Sequence, residues 1–273
     1  MLEIFSYSFM IKALVVGVLI AVCCALLGVV LVLKRYSMIG DGLSHVGFGA
    51  LSVAAVLNLS TPLYVALPVV VVAAYFLLRI TEKSKVNADA AIALISSSAL
   101  AIGVFVASIN GTNIDLKQYM FGSILAVRQS DMIISAALTA MVLLVYILFY
   151  NKIFAVTFDE SFARATGIRT SLYNITVSVL TAVTVVVGMR MLGTLLISAL
   201  IIFPSLTSMR LCKRFKSVVI VSVVISVLCV VSGLVTSFYM ENIPVGATIV
   251  IYNLGVFLIF TAASIFIKLS RKK

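Results

Sequence analysis

KRYSMIGDGLSHVGFG, residues 34–49, places Asp41 and His45 four positions apart in a segment that is otherwise apolar and glycine-rich. His45 is the only histidine of the chain, and Asp41 is one of nine acidic residues. On a helix, positions i and i+4 share a face, with Cβ atoms roughly 6 Å apart. A carboxylate and an imidazole held that way can both lean toward one cation. An ionisable residue inside a bilayer is expensive, and its presence marks a functional site by default. The alternative for so short a motif is a hydrogen-bonded pair that only fixes helix packing. Gly40, Gly42, Gly47 and Gly49 flank the pair. Small residues let membrane helices approach closely or let backbone face a pore, and both uses set this segment against protein rather than lipid.

Outward from that stretch the chain reads as membrane-embedded. Its 273 residues are 63% hydrophobic and 11% charged, with a mean hydropathy of +1.26, whereas a soluble domain carries about 25% charged residues. No polar segment is long enough for a separate soluble domain, so residues 1–273 are read as one transmembrane domain. The apolar runs are continuous over about 20 residues instead of alternating over about 10, which excludes a barrel. The fold expected is an all-α polytopic bundle. MLEIFSYSFMIK at the start lacks a basic n-region and a small-residue cleavage site, so the first apolar segment is expected to be retained.

Nine apolar segments stand at roughly 13–33, 39–58, 62–80, 90–109, 131–149, 171–188, 191–209, 217–238 and 244–267. The second is either a full span or partly re-entrant, so eight or nine crossings are expected. With nine spans and the N-terminus outside, sixteen of the twenty Lys and Arg residues fall in cytoplasmic loops and ends. Only Lys12, Lys117, Arg128 and Arg190 remain outside, a clear positive-inside bias. The expected topology is therefore N-terminus out and C-terminus in. The net charge of +11 follows from those loops and from no basic run, so it does not indicate nucleic acid. Cys23, Cys24, Cys212 and Cys229 show no CxxC spacing and read as small packing residues.

Two connections are longer than the rest. The outer one, Asn110–Ser130, has an apolar MFGSILAV core too short to span, which suggests a re-entrant or interfacial helix enclosed by protein. The inner one, Tyr150–Thr170, holds FDESFARATGI: Asp159 as an N-cap, Phe162, Ala163 and Ala165 for packing, and Gly167 as a terminator, the signature of a short surface helix. Asp89 opens the fourth segment either as a helix cap or as part of an ion path. Asp131 reads as a cap of the fifth. Arg190, between two apolar segments, reads as an interfacial anchor, and Glu241 with Pro244 as an outer turn. No GxxxxGK[ST] loop is present, so nucleotide hydrolysis would fall to a partner, and no HExxH marks a zinc protease.

Five stretches together resemble the membrane permease family of bacterial ABC importers for zinc and manganese: GDGLSHVGFG (40–49), IDLKQYMFGSILAV (114–127), FDESFARATGI (158–168), MLGTLLISALIIFPSLTSMRL (191–211) and FYMENIPVGATIV (238–250). The resemblance implies a permease in the bacterial plasma membrane that is not itself an enzyme and holds no permanent cofactor. It implies a second copy of the chain, a cytoplasmic ATPase dimer and an extracytoplasmic metal-binding protein as partners. Asp41 and His45 match the family's intramembrane metal ligands, with Asp89 a less certain third. Asp159, Glu160, Ala163 and Gly167 match its short cytoplasmic coupling helix. Ser205 stands after Pro204 where the family commonly has alanine, with little consequence expected. A two-fold dimer would double Asp41 and His45 to two oxygens and two nitrogens, enough for four-coordinate Zn²⁺. Because His⁺ binds no metal, acidification is expected to weaken binding. The wording of the outer loop favours zinc over manganese, with iron third. The rival functions are a stand-alone metal transporter or channel, and a membrane aspartyl protease. The second needs Gly-x-Gly-Asp, and Met38 occupies the first glycine position.

Overall fold

The structure, a computed structural model, describes residues 7–59, 62–83, 88–109, 120–122, 127–240 and 243–270. Lys85, Lys117 with most of the outer connection, Glu241 and Arg271–Lys273 lie outside the described residues. Within them the chain forms α1 (Ser8–Leu33), α2 (Ile39–Val56), α3 (Leu63–Lys83), α4 (Ala88–Ile109), α5 (Gln129–Leu148), α6 (Tyr150–Phe158), α7 (Glu160–Ala165), α8 (Thr170–Leu192), α9 (Thr194–Leu211), α10 (Phe215–Tyr239) and α11 (Val245–Ser270), and no strand. Nine of these described helices, all but α6 and α7, are long and apolar enough to cross a membrane. The second is among them: α2 is unbroken over 18 residues, about 27 Å at 1.5 Å per residue, close to the hydrocarbon thickness of about 30 Å.

α1 is the axis of the bundle. It is almost wholly apolar, and every residue from Cys23 to Leu31 is buried, as expected of a helix with almost no polar face to present. α5, α8, α9 and α10 surround it. Its Gly28 lies where an added Cβ would come within 2.3 Å of the Ile201 carbonyl oxygen, so the α1 and α9 backbones nearly touch there. Ser205, one turn after Ile201, is fully buried and donates its hydroxyl to the Ile201 carbonyl at 2.9 Å. That bond is why a serine in place of alanine leaves no unpaired group.

α2 sits between α3, α4, α8 and α9. Its four glycines are the reason it fits. Gly40 faces Ile201, Gly42 faces Ile92, Gly47 faces Met189 and Gly49 faces the Ala99 carbonyl, each closer than a Cβ would allow. The glycine-rich segment is thus set against three neighbouring helices, as its composition suggests. α4 and α11 lie at the outside and expose large apolar side chains such as Leu94, Phe105, Ile251 and Ile259, the surface expected toward lipid.

The α8–α9 turn at Gly193 is held by backbone packing. Gly122 (φ +73°) and Gly193 (φ +87°) adopt left-handed conformations open to glycine. Carbon added at either would collide with the backbone of the other's segment. Gly246 of α11 completes the junction against Phe121 and Leu192. Of the described part of MFGSILAV, Val127 is buried, Phe121 and Gly122 are half-buried against this junction, and Met120 is exposed.

α6 continues from α5 after a break at Phe149 and is clasped to the start of α10. The rings of Tyr150, Phe154 and Phe158 lie 5.6, 5.3 and 5.9 Å from that of Phe215. α7 follows after one residue. Asp159 caps it, accepting the Phe162 amide at 2.8 Å. Gly167, at φ +85°, ends it with bonds from the Gly167 amide to the Arg164 carbonyl and the Ile168 amide to the Ala163 carbonyl, the Schellman pattern. Of the three residues expected to pack, only Ala163 is buried; Phe162 and Ala165 are exposed. Six residues make less than two turns, so one side of α7 meets the protein and the other faces outward.

Candidate metal site

Asp41 is the third residue of α2, in the first turn, where the orphan amides of a helix favour a negative charge. One carboxylate oxygen, Oδ2, lies 3.7 Å from His45 Nε2. The other, Oδ1, lies 3.3 Å from Ser198 Oγ of α9. That hydroxyl is also 3.2 Å from the Thr194 carbonyl, and its single proton serves one acceptor at a time. The side chains of Asp41 and His45 are 37% and 25% exposed within one chain, so the pair is open on one side. His45 Nδ1 is buried and has no hydrogen-bond partner among the described residues.

The spacing suits a shared cation better than a direct bond. At 3.7 Å the two atoms stand beyond hydrogen-bond range. Two ligands on a tetrahedral zinc, each at about 2.1 Å, stand about 3.4 Å apart, a difference that a small rotation of either side chain closes. Among the described residues of one chain the pair brings together one oxygen and one nitrogen. Among the described residues no group of three His, Cys, Asp or Glu side chains converges. Asp89 is exposed in the first turn of α4 and is not brought into a cluster with the pair. Its N-cap partner position lies outside the described residues.

Asp131 and Arg190, also singled out from the sequence, stand beside each other. Asp131 is buried and accepts the Arg128 amide at 2.8 Å, which closes the start of α5. It caps from the third helical position rather than the first. Arg190 falls inside a helix rather than between two segments. α8 runs on to Leu192, so Arg190 lies in its last turn with the guanidinium 3.8 Å from the Asp131 carboxylate. The four cysteines are free; three are buried, Cys23 donating to Thr139 at 3.3 Å, and Cys212 is half-buried.

Three polar residues escaped the sequence reading. Ser198 stands 157 positions from Asp41 and carries no local mark. Lys34 and Asn174 meet Glu160 of α7: Lys34 Nζ lies 3.1 Å from Glu160 Oε2 and also donates to Asn174 Oδ1, and Asn174 Nδ2 donates to Glu160 Oε2 at 3.2 Å. An asparagine inside the apolar run 171–188 was the available signal.

The chain is similar to known membrane proteins along nearly its whole length. It is 29% identical to a probable iron transport system membrane protein of Haemophilus influenzae, over 93% of this chain and 90% of that one. It is equally identical, over 93% and 91%, to the manganese import system permease protein ScaB of Streptococcus gordonii. Among solved structures it superposes on PsaBC from Streptococcus pneumoniae in complex with Fab with a TM-score of 0.82, at 29% identity and 94% coverage of each chain. The model of the ABC 3 transport family matches residues 6–264, and the chain belongs to that family.

Proposed function

We infer that this chain is the membrane permease of an ATP-driven importer for a divalent transition metal, and that Asp41 and His45 are its intramembrane ligands. The observation that carries the reading is the open carboxylate–imidazole pair inside the bundle of a member of the ABC 3 transport family. A second copy supplies the two missing donors, with Asp89 near the cytoplasmic end of the path. Residues 1–273 act as one permease domain, N-terminus outside and C-terminus cytoplasmic. The chain is a transport subunit, and a separate ATPase hydrolyses the nucleotide. Asp159, Glu160, Ala163 and Gly167 build the helix on which that ATPase docks. The outward Phe158 and Phe162, both more than half exposed, are the apolar anchors such a contact needs. An extracytoplasmic metal-binding protein delivers the ion.

The donor chemistry favours zinc, because a site with imidazole nitrogen holds zinc more tightly than manganese. Manganese or iron is a second reading, favoured by the names of the relatives from S. gordonii and H. influenzae. ATP-dependent uptake of zinc and manganese isotopes into vesicles carrying the whole complex separates the two. Zinc uptake lost in Asp41→Asn and His45→Ala, with the complex still assembled, supports zinc and the site. Manganese uptake with zinc acting only as a blocker keeps the permease and overturns the ion. Undiminished transport in both variants removes the pair from the path.

A further inference from the structure

Lys34 ends α1 seven residues before Asp41, and its side chain is only 12% exposed. Leu31, Ile153, Val156 and Val177 wall the adjoining cavity. An ammonium group in such a place is costly unless its charge is met. Glu160 meets it from α7, and Asn174 from α8 binds both partners, so the three close a triangle joining three elements. Glu160 also holds Arg164 at 3.2 Å on its outer side.

Between Lys34 and the metal pair the backbone makes a series of turn bonds. The Tyr36 amide donates to the Leu31 carbonyl at 2.8 Å and the Arg35 amide to Val32 at 3.1 Å, a Schellman closure with Arg35 at φ +63° where glycine is usual. The Ile39 amide then donates to Tyr36 at 3.1 Å and Gly42 to Met38 at 3.0 Å. The connection is therefore a stiff turn, and a pull on Lys34 moves the start of α2.

We propose that Lys34, Glu160 and Asn174 form a latch through which displacement of α7 reaches Asp41 and His45. The proposal rests on the permease reading above. α7 presents Phe162 outward and Glu160 inward, so a partner pushing on its outer side acts directly on the ion pair. With the latch shut, the charges are paired and the turn is held. When it opens, Lys34 is resolvated and the start of α2 is freed. All three are positioning residues; none touches the ion.

The test uses the complete importer in vesicles and measures metal ions moved per ATP hydrolysed. Lys34→Met and Glu160→Gln are compared with wild type and with the exchanged pair Lys34→Glu/Glu160→Lys. The metal affinity of each permease and the amount of bound ATPase are measured alongside. The expected result is a ratio about tenfold lower in each single variant, within the range by which such networks alter coupling. Metal affinity and bound ATPase stay unchanged in Lys34→Met, and the ratio partly recovers in the exchanged pair. A wild-type ratio in Lys34→Met overturns the latch. So does a fall fully accounted for by lost metal affinity or lost ATPase, or an exchanged pair no better than the single variants. A wild-type complex that hydrolyses ATP but moves no metal overturns the permease reading itself.

Discussion

Asp41 and Asp131 occupy the same position, third in their helices, and the protein treats them oppositely. Asp131 is closed in: buried, bonded to the Arg128 amide and set beside Arg190. Asp41 is left open: one oxygen meets a shared serine hydroxyl, the other an imidazole beyond bonding distance, and more than a third of the side chain is accessible. Burial of a carboxylate is tolerated when its charge and lone pairs are met within the chain. A carboxylate whose partners are withheld has capacity for a visitor. The difference separates a carboxylate paired across two helices from one left open on one side.

The sharpest way to break this comparison is to neutralise each carboxylate. Asp41→Asn should lower metal affinity at least about 100-fold, exceeding the 10–100-fold usual for losing an outer-shell partner, while the unfolding midpoint in detergent moves little. Equilibrium metal titration beside thermal unfolding reads both. Asp131→Asn should do the reverse, costing about 1–2 kcal/mol through the lost cap and the unmatched Arg190 and leaving metal affinity at the wild-type value. If the two variants behave alike, the distinction fails.

A third charged site sharpens it. Glu160 is partly buried, which by itself raises its pKa. The bonds from Asn174 and Lys34 outweigh that and hold it below its ordinary value of 4.5. A depressed carboxylate contributes stability that is complete above its unfolded-state pKa and is lost as pH falls through the folded one. Lys34 and Arg164 face it directly, and Arg79 and Arg169 line the same hollow. The stability gap between wild type and Glu160→Gln should therefore be constant above about pH 5 and close in more acidic solution. Chemical denaturation at a series of pH values measures it; a gap independent of pH refutes it. The smallest effect is expected at Ser198. Ser198→Ala removes one long contact to Asp41 and should change metal affinity about twofold, because a water can replace a hydroxyl at an open site.

What was legible in the sequence was local. A run of about 20 apolar residues must bond its backbone internally in a bilayer, so nine apolar segments are visible from hydropathy alone, while the full crossing of the second is not. Asp159 and Gly167 announce a short helix because a cap and a left-handed terminator act within one turn. Asp41 and His45 announce a shared face because a helix sets i and i+4 together. Tertiary structure alone decided the rest. It decided which helices press on the glycines of α2, that Ser198 leans on Asp41, that Arg190 belongs to Asp131, and that Lys34 reaches Glu160 across 126 residues. Each of these depends on how apolar helices choose neighbours in a medium as apolar as themselves. That choice is made by close packing and by scattered polar contacts, and neither has a period that a single sequence can display.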